Sequence, residues 1–149
     1  MEGEREAFEA VSGGDAARLR ALLEDDPGLA AARGPDGVSL LLRAQYAMSD
    51  ELVAAVLAAA PELDVHEAAA VGDADRVRAL LDGRPELMRA VAADGFAPLH
   101  AAAAGGDREL VALLLESGAD PAPRSDDGRT PAALARERGH RELEGLLRA

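Results

Sequence analysis

The sequence contains no cysteine, no tryptophan and only three aromatic residues. The absence of cysteine excludes disulfides, thiolate metal sites and cysteine nucleophiles. The scarcity of aromatics means that any core is built from Leu, Ala and Val, whose small side chains each bury little area. Such a core needs many close and regular contacts, which packed helices supply better than a sandwich of sheets. The composition therefore favours a helical protein.

Lysine, asparagine and isoleucine are also missing, so all 16 basic residues are arginine. This bias is typical of a high-GC bacterial genome, and we expect a bacterial source. Without lysine the chain has no P-loop for phosphate. The 28 acidic residues give a formal charge of −12, which argues against a nucleic-acid surface, where a basic stripe is expected. An acidic surface favours solubility and rapid encounter with basic partners.

Long apolar runs are lacking as well. The longest stretch without a charge or a proline is Leu52 to Ala60, far below the roughly 18 residues that a membrane-spanning helix requires. The first six residues include three glutamates and lead into no segment that resembles a signal peptide. From these features we expect a soluble, cytoplasmic protein that does not associate with membranes.

What is present is an internal repeat. The turns that begin at Gly14, Gly72, Gly106 and Gly139 are similar, and they lie 58, 34 and 33 residues apart. The first interval is too long for one unit, so we place a further turn at Met48, which leaves one unit about ten residues short. A fixed period of this size indicates a repeat architecture.

The 58-residue interval also relates two longer segments. Fifteen residues between Glu9 and Leu41 recur unchanged 58 positions later, among them Asp15, Pro27 and Gly37. This degree of identity indicates a duplicated module. Its seam lies near residues 61–63.

Each unit is predicted to form two antiparallel helices. In the fourth unit, Pro98 suits the first turn of a helix and residues 105–106 suit a left-handed cap. Residues 109–116 then place apolar side chains on a wide helical face. Between units, Asp-Gly pairs at 36–37, 94–95 and 127–128 are strong signals for hairpin turns.

These residues resemble the ankyrin repeat, whose signature is D-G-x-T-P-L-H-x-A-A-x-x-G followed by V-x-x-L-L-x-x-G-A-D. Residues 94–105 and 110–121 match it closely, and residues 127–131 open a terminal copy. The resemblance implies an all-α ankyrin-repeat solenoid of about five helix-turn-helix units with short β-hairpin loops, in which one hairpin is missing near residues 61–63. We expect one domain, 1–149, with units 5–33 (N-cap), 34–60, 61–93, 94–126 and 127–149 (C-cap).

The histidines and serines that could serve in catalysis or metal binding are better explained by structural roles. In the resembled family, the imidazole at the position of His66 and His100 forms hydrogen bonds that hold the repeat loop, although Leu63 and Ala97 stand where the family has threonine. His140 reads as a surface residue at a helix start. No two histidines lie within two helical turns, so metal-ligand spacing is absent, and the serines fall at turns without a nearby histidine. We predict no catalytic, cofactor or metal site.

The resemblance implies that partners bind the concave side, on hairpin tips and first helices. Tyr46 and Phe96 are of most interest because aromatics commonly anchor interfaces, although Phe96 could cap a hairpin and Tyr46 could pack between units. The predicted protein-binding residues are Val38, Tyr46, Ala47, Ala70, Val71, Phe96, Ala104, Arg129, Glu137 and Arg138.

The leading functional hypothesis is a non-enzymatic, monomeric interaction module that binds a protein partner as a regulator or adaptor. A narrower hypothesis is a cytoplasmic inhibitor or immunity factor for a basic enzyme, which salt would weaken steeply. A small hydrolase or ligand-binding protein is the alternative of another class. That alternative requires a deep pocket with a histidine paired to a carboxylate. The sequence does not identify the partner.

Overall fold

A computed structural model describes residues 2–92 and 95–148. Over these residues the secondary structure is almost entirely helical, which confirms the all-α prediction. The helices are α1 (Glu2–Ser12), α2 (Ala16–Asp25), α3 (Leu40–Tyr46), α4 (Asp50–Ala58), α5 (Val65–Val71), α6 (Ala74–Gly83), α7 (Pro98–Gly105), α8 (Arg108–Glu116), α9 (Pro131–Glu137) and α10 (Arg141–Arg148). Each predicted repeat holds one consecutive pair of helices.

The second helix of three repeats begins with the same cap. Asp15, Asp73 and Asp107 each accept a hydrogen bond, 3.0 Å long, from the backbone N–H three residues later. An aspartate at this position satisfies one of the N–H groups that the first helical turn leaves unpaired. The recurring Gly-Asp pair in the sequence is therefore a turn followed by a helix cap.

The turn before each cap uses a left-handed backbone. Gly14, Gly72, Gly106 and Gly139 have φ angles from 71° to 82°, and Met48 takes the same conformation with a φ of 57°. The placement of the missing turn at Met48 is thereby confirmed. At Gly106 a side chain has no room either, because a Cβ there would lie 2.6 Å from the His140 ring.

The chain divides into two compact units, Met1–Glu62 and Leu63–Ala149. The border falls at the duplication seam inferred from the 58-residue repeat. In Met1–Glu62, α2 packs on α4 and α3 packs on both α1 and α4. The core of this unit consists of Leu19, Leu40, Leu41, Leu52 and Val56, all of them fully buried.

In Leu63–Ala149, the first helices of successive repeats pack side by side: α5 against α7, and α7 against α9. Alanines make this close approach possible, and Ala68, Ala69, Ala102 and Ala103 are completely or almost completely buried. Larger apolar side chains fill the space behind them, namely Val77, Leu99, Leu110, Val111, Leu114 and Leu134. Small residues thus set the spacing of this stack and leucines fill it.

Three of the connections between repeats form hairpin turns. In the first hairpin (residues 32–39), the Gly34 N–H donates to Val38 O at 3.0 Å. In the second (residues 90–97), the Ala92 N–H donates to Phe96 O at 2.9 Å, and in the third (residues 123–130) the Ser125 N–H donates to Arg129 O at 2.9 Å. The predicted Asp94 lies outside the described residues.

The connection between α4 and α5 is different. It consists of residues 59–64, whereas 14 residues separate the helices at each hairpin connection. Six residues are too few for the same extended loop. The shortened link predicted at 61–63 is therefore present.

Two short 3-10 helices, Pro27–Ala31 and Pro85–Arg89, precede the first and second hairpins. The sequence analysis did not predict them, although the two prolines recur at the 58-residue interval. Each proline occupies the start of its helix, where its missing N–H leaves no helical bond unmade. These turns lead the chain from the second helix of one repeat into the next hairpin.

Candidate protein-binding surface

His66 and His100 each reach from a first helix to the connection that follows. His66 Nε2 lies 2.9 Å from the carbonyl oxygen of Ala90, and His100 Nε2 lies 2.9 Å from that of Arg129. We call these contacts forward hydrogen bonds. They confirm that both histidines hold repeat loops.

His100 is bonded at both ring nitrogens. Its Nδ1 accepts a hydrogen bond from the Ala97 N–H at 3.0 Å, and its Nε2 faces a carbonyl that can only accept. The ring is therefore neutral in this arrangement, with its hydrogen on Nε2. The side chain is 1% exposed; its bond to Ala97 is buried and its bond to Arg129 is partly buried. Because the donor to Nδ1 is a backbone N–H, this bond does not require the threonine that the family has at the position of Ala97.

The Phe96 ring lies next to this histidine. The two ring centroids are 5.2 Å apart with an angle of 24° between the planes, which is a stacked arrangement. The Arg129 guanidinium lies 5.4 Å from the Phe96 centroid, within the range of a cation–π interaction. Phe96 is half-buried, so it packs within the repeat and still presents part of its ring.

Two carboxylates fix the orientation of the arginine. Arg129 Nε donates to Asp127 Oδ2 at 2.8 Å, and Nη1 donates to Glu137 Oε2 at 3.3 Å. Ion pairs this exposed add little stability, but they hold the guanidinium on one side of the ring. We refer to Phe96, His100, Asp127, Arg129 and Glu137 as the Phe96 patch.

Asp127 is tied to the third hairpin as well as to Arg129. The Ser125 hydroxyl donates to its carboxylate. This hydrogen bond, helped by the charge of Arg129, lowers the pKa of Asp127 below its usual 3.8 and outweighs a smaller opposing effect of desolvation. The carboxylate therefore stays ionised at every pH near neutrality and remains a partner for Arg129.

The structure brings together three of the ten predicted binding residues, Phe96, Arg129 and Glu137. Val38 and Ala70 are only 9% and 3% exposed, so they offer a partner almost no surface. The remaining predicted residues are at least partly accessible: Tyr46, Ala47, Val71, Ala104 and Arg138.

A related arrangement in Met1–Glu62 was missed at the sequence level. Arg43 lies over the ring of Phe8, 5.8 Å from its centroid, and forms an ion pair with Asp36 of the first hairpin. A hydrogen bond from the Val38 N–H, with a further contribution from Arg43, lowers the pKa of Asp36. The signal was available, because Phe8 aligns with His66 at the 58-residue interval.

Phe8 also lines an open groove of about 600 Å³ between α1 and the first hairpin. Its other walls include Glu4, Ser12, Arg33 and Pro35. The groove carries both acidic and basic side chains, so its charge favours neither sign of partner. It nevertheless shows that the first repeat presents accessible surface.

In residues 2–92 and 95–148, histidine, aspartate and glutamate side chains form no group of three or more that could hold a metal ion. The helices that the structure describes are all too short or too polar to cross a bilayer.

Comparison with known proteins agrees with the repeat geometry. The family profile described as ankyrin repeats (3 copies) matches residues 65–147. A probable E3 ubiquitin-protein ligase of Oryza sativa subsp. japonica is 44% identical over 81 residues, which cover 54% of this chain and 16% of the relative. The tyrosine-protein kinase Shark of Drosophila melanogaster is 35% identical over 83 residues, or 56% of this chain and 9% of the kinase.

A longer match reaches into the N-terminal half. The zinc finger CCCH domain-containing protein 50 of Oryza sativa subsp. japonica is 39% identical over 134 residues, covering 82% of this chain and 20% of that protein. The chain thus spans a fifth or less of the length of these three relatives. With its paired helices, hairpins and forward hydrogen bonds, and with the family match over residues 65–147, the chain belongs to the ankyrin-repeat family.

Proposed function

We propose that this chain is a non-enzymatic protein-interaction module, monomeric and cytoplasmic, that binds a protein partner on its hairpins and first helices as a regulator or adaptor. Membership of the ankyrin-repeat family supports an interaction role. The proposed contact surface consists of the accessible members of the predicted set: Tyr46, Ala47, Val71, Phe96, Ala104, Arg129, Glu137 and Arg138.

The observation that carries this proposal is the Phe96 patch. Aromatic residues and arginine are the side chains that most often dominate the energy of protein interfaces. Here both are held in place before any partner arrives, the ring by stacking on His100 and the guanidinium by two carboxylates. Because these groups are already ordered, binding costs less side-chain entropy.

The neighbouring first helices suit an apolar partner. Val71 and Ala104 have short side chains that are half-buried, so a partner helix or strand can approach the backbone closely. Charged groups, including Glu137 and Arg138, follow at the C-terminal repeat. A partner segment with an apolar side chain over Phe96 and polar groups towards α9 fits this order.

The test begins with capture of partners from the source organism on the immobilised chain, followed by titration calorimetry with each purified candidate. Replacing both aromatics (Tyr46→Ala with Phe96→Ala) should weaken binding of the true partner about 30-fold. This change in the dissociation constant corresponds to about 2 kcal/mol. Because Phe96 also packs within its repeat, circular dichroism must first show that the variant is folded. Phe96→Leu, which retains apolar area, should lose less affinity.

Leu57→Ala serves as the matched control. Leu57 is an apolar side chain on α4 that is 36% exposed and lies outside the proposed surface. Its replacement should leave the dissociation constant unchanged within about twofold. An unchanged affinity in the folded double aromatic variant would discard the proposed surface.

The inhibitor hypothesis has support of its own in the charge distribution. Residues 1–62 carry 12 acidic side chains against five arginines, and residues 63–149 carry 16 against 11. Both units are therefore acidic and would attract a basic enzyme at long range. For such a partner the association rate should fall steeply between 50 and 500 mM salt, at roughly constant dissociation rate. An association rate that does not depend on salt would contradict the inhibitor hypothesis. It would not contradict binding at the Phe96 patch.

A further inference from the structure

A second accessible surface in Leu63–Ala149 is a groove of about 490 Å³. It lies between residues 88–91, at the end of the second 3-10 helix, and residues 118–124, which follow α8. Met88, Val91 and Leu99 give it an apolar lining. None of the residues proposed above as the contact surface lines this groove.

The groove is bordered by an unusually exposed apolar side chain. Val91 is 66% exposed. Large apolar side chains with this exposure in the described residues are few, and Val91 is the one that stands beside a concave apolar surface. An exposed apolar side chain next to such a surface is typical of an interaction site.

Two exposed arginines line the groove of this acidic chain. They are Arg89 and Arg124, and neither forms an ion pair with another described residue. Arg124 Nη1 donates only to the carbonyl of Gly128, at 3.1 Å.

One carboxylate, Asp120, also lines the groove, and its Oδ1 accepts from the Ala122 N–H at 3.0 Å. A second carboxylate, that of Asp126, lies against the lining residue Gly95. The two guanidinium groups without ion-pair partners are therefore the groups that remain available to an acidic ligand.

We propose that this groove binds an extended protein segment in which an apolar side chain is flanked by carboxylates. The apolar side chain would lie beside Met88 and cover Val91, while the acidic side chains would pair with Arg89 and Arg124. Guanidinium groups without ion-pair partners bind carboxylates in a bidentate manner at little cost in rearrangement. The chain would then contact proteins through two separate surfaces, as an adaptor requires.

The probes are three blocked hexapeptides, EELFEE, KKLFKK and EESSEE, titrated into the ¹⁵N-labelled full chain and followed by amide chemical shifts. EELFEE should shift residues 88–91 and 118–124. EESSEE should bind at least about fivefold more weakly, because it lacks the apolar contact, and KKLFKK should bind more weakly still. Equal binding of EELFEE and KKLFKK, or shifts that fall elsewhere, would overturn the proposal.

Charge reversal separates this site from general attraction. Arg89→Glu with Arg124→Glu should weaken EELFEE binding by about tenfold or more. The matched control is Arg141→Glu with Arg148→Glu on α10, which makes the same change in net charge at exposed arginines that form no ion pair with a described residue. The control should bind as the unmodified chain does; an equal loss in both variants contradicts a specific site.

Sedimentation velocity tests whether a second copy of the chain is the occupant instead. The proposal expects the same monomeric species with and without the Arg89→Glu and Arg124→Glu changes. Self-association that these changes abolish would overturn the proposal in favour of a homodimer. His100 belongs to the Phe96 patch and also lines this groove. The two proposals nevertheless assign no partner contact to the same residue, so either can fail without the other.

Discussion

The two units use different side chains to hold a first helix against a hairpin connection. In Leu63–Ala149, His66 and His100 secure the following connection with forward hydrogen bonds. In Met1–Glu62, the position equivalent to His66 is Phe8, which lies against the first hairpin near Gly34 and beneath Arg43. A directional hydrogen bond is replaced by aromatic and cation–π contacts.

The two units also differ in how completely their polar side-chain atoms are hydrogen-bonded. Around His100 the ring nitrogens are both bonded, and Arg129 has two carboxylate partners. Around Phe8, the Nε of Arg43 is buried without a hydrogen-bond partner, which costs stability. The repeat close to the family signature is thus the more completely bonded one, and the comparison predicts where substitutions will be most harmful.

The largest expected effect is at His100. His100→Ala removes one buried and one partly buried hydrogen bond and leaves a cavity beneath Phe96, so the free energy of unfolding should fall by about 3 kcal/mol in urea denaturation. His66→Ala should cost clearly less, because His66 is half-buried and its forward hydrogen bond is single. Equal losses at the two positions would show that burial does not determine the strength of the forward hydrogen bond.

The second largest loss of stability is expected at Phe8. Phe8→Ala is expected to lower the free energy of unfolding by about 2 kcal/mol, since a half-buried ring and its contact with Arg43 are lost. Phe8→Leu, measured in the same urea titrations, should retain most of the stability because packing against the hairpin persists. A loss as large in the leucine variant would assign the effect to the cation–π contact.

A gain in stability is expected at Met48, which occupies the turn position where the other repeats have glycine. Met48 has a φ of 57° and is 67% exposed. Its backbone is therefore strained, and its side chain packs too little to offset that strain. Met48→Gly should raise the free energy of unfolding by roughly 0.5–1 kcal/mol, after allowing for the greater freedom of glycine in the unfolded chain. Met48→Ala keeps the strained φ and should give no such gain in thermal unfolding.

The smallest effect concerns the hairpin carboxylates. The pKa of both Asp36 and Asp127 is lower in the folded chain than the usual 3.8. Their contribution to stability is therefore complete above that value and is lost as the pH falls through the lower folded pKa. In a carboxyl-carbon NMR titration, Ser125→Ala should raise the pKa of Asp127 and leave that of Asp36 unchanged. A shift in neither carboxylate would contradict the role of the serine.

Much of the fold was predictable because turns and caps depend on local chemistry. The Gly-Asp pairs located the helix starts, and the count between them located Met48 although its residue type gave no sign of a turn. The family signature identified both histidines as loop contacts. The acceptor atoms could not be predicted, because they depend on where the next connection passes.

The candidate surface was harder to predict for the same reason. Val38 and Ala70 were placed on it by analogy, but their exposure depends on side chains that pack over them, which the repeat pattern does not specify. The groove at Val91 was also missed. It is formed mainly by two segments about 30 residues apart, Met88–Val91 and Gly118–Arg124. The family signature includes residues 118–120, but it does not specify that they line a groove with Met88–Val91.

The forward hydrogen bonds also set an order for folding during synthesis. His66 and His100 find their acceptors 24 and 29 residues further along the chain. Neither bond can close until the loop that carries its acceptor has left the ribosome. For His100 that loop extends into the next repeat, residues 127–149, whereas His66 and Ala90 lie in the same repeat. A nascent chain that stalls before residue 129 would carry a buried imidazole with an unmet donor. Such incomplete chains would offer quality-control proteases a loosened final repeat.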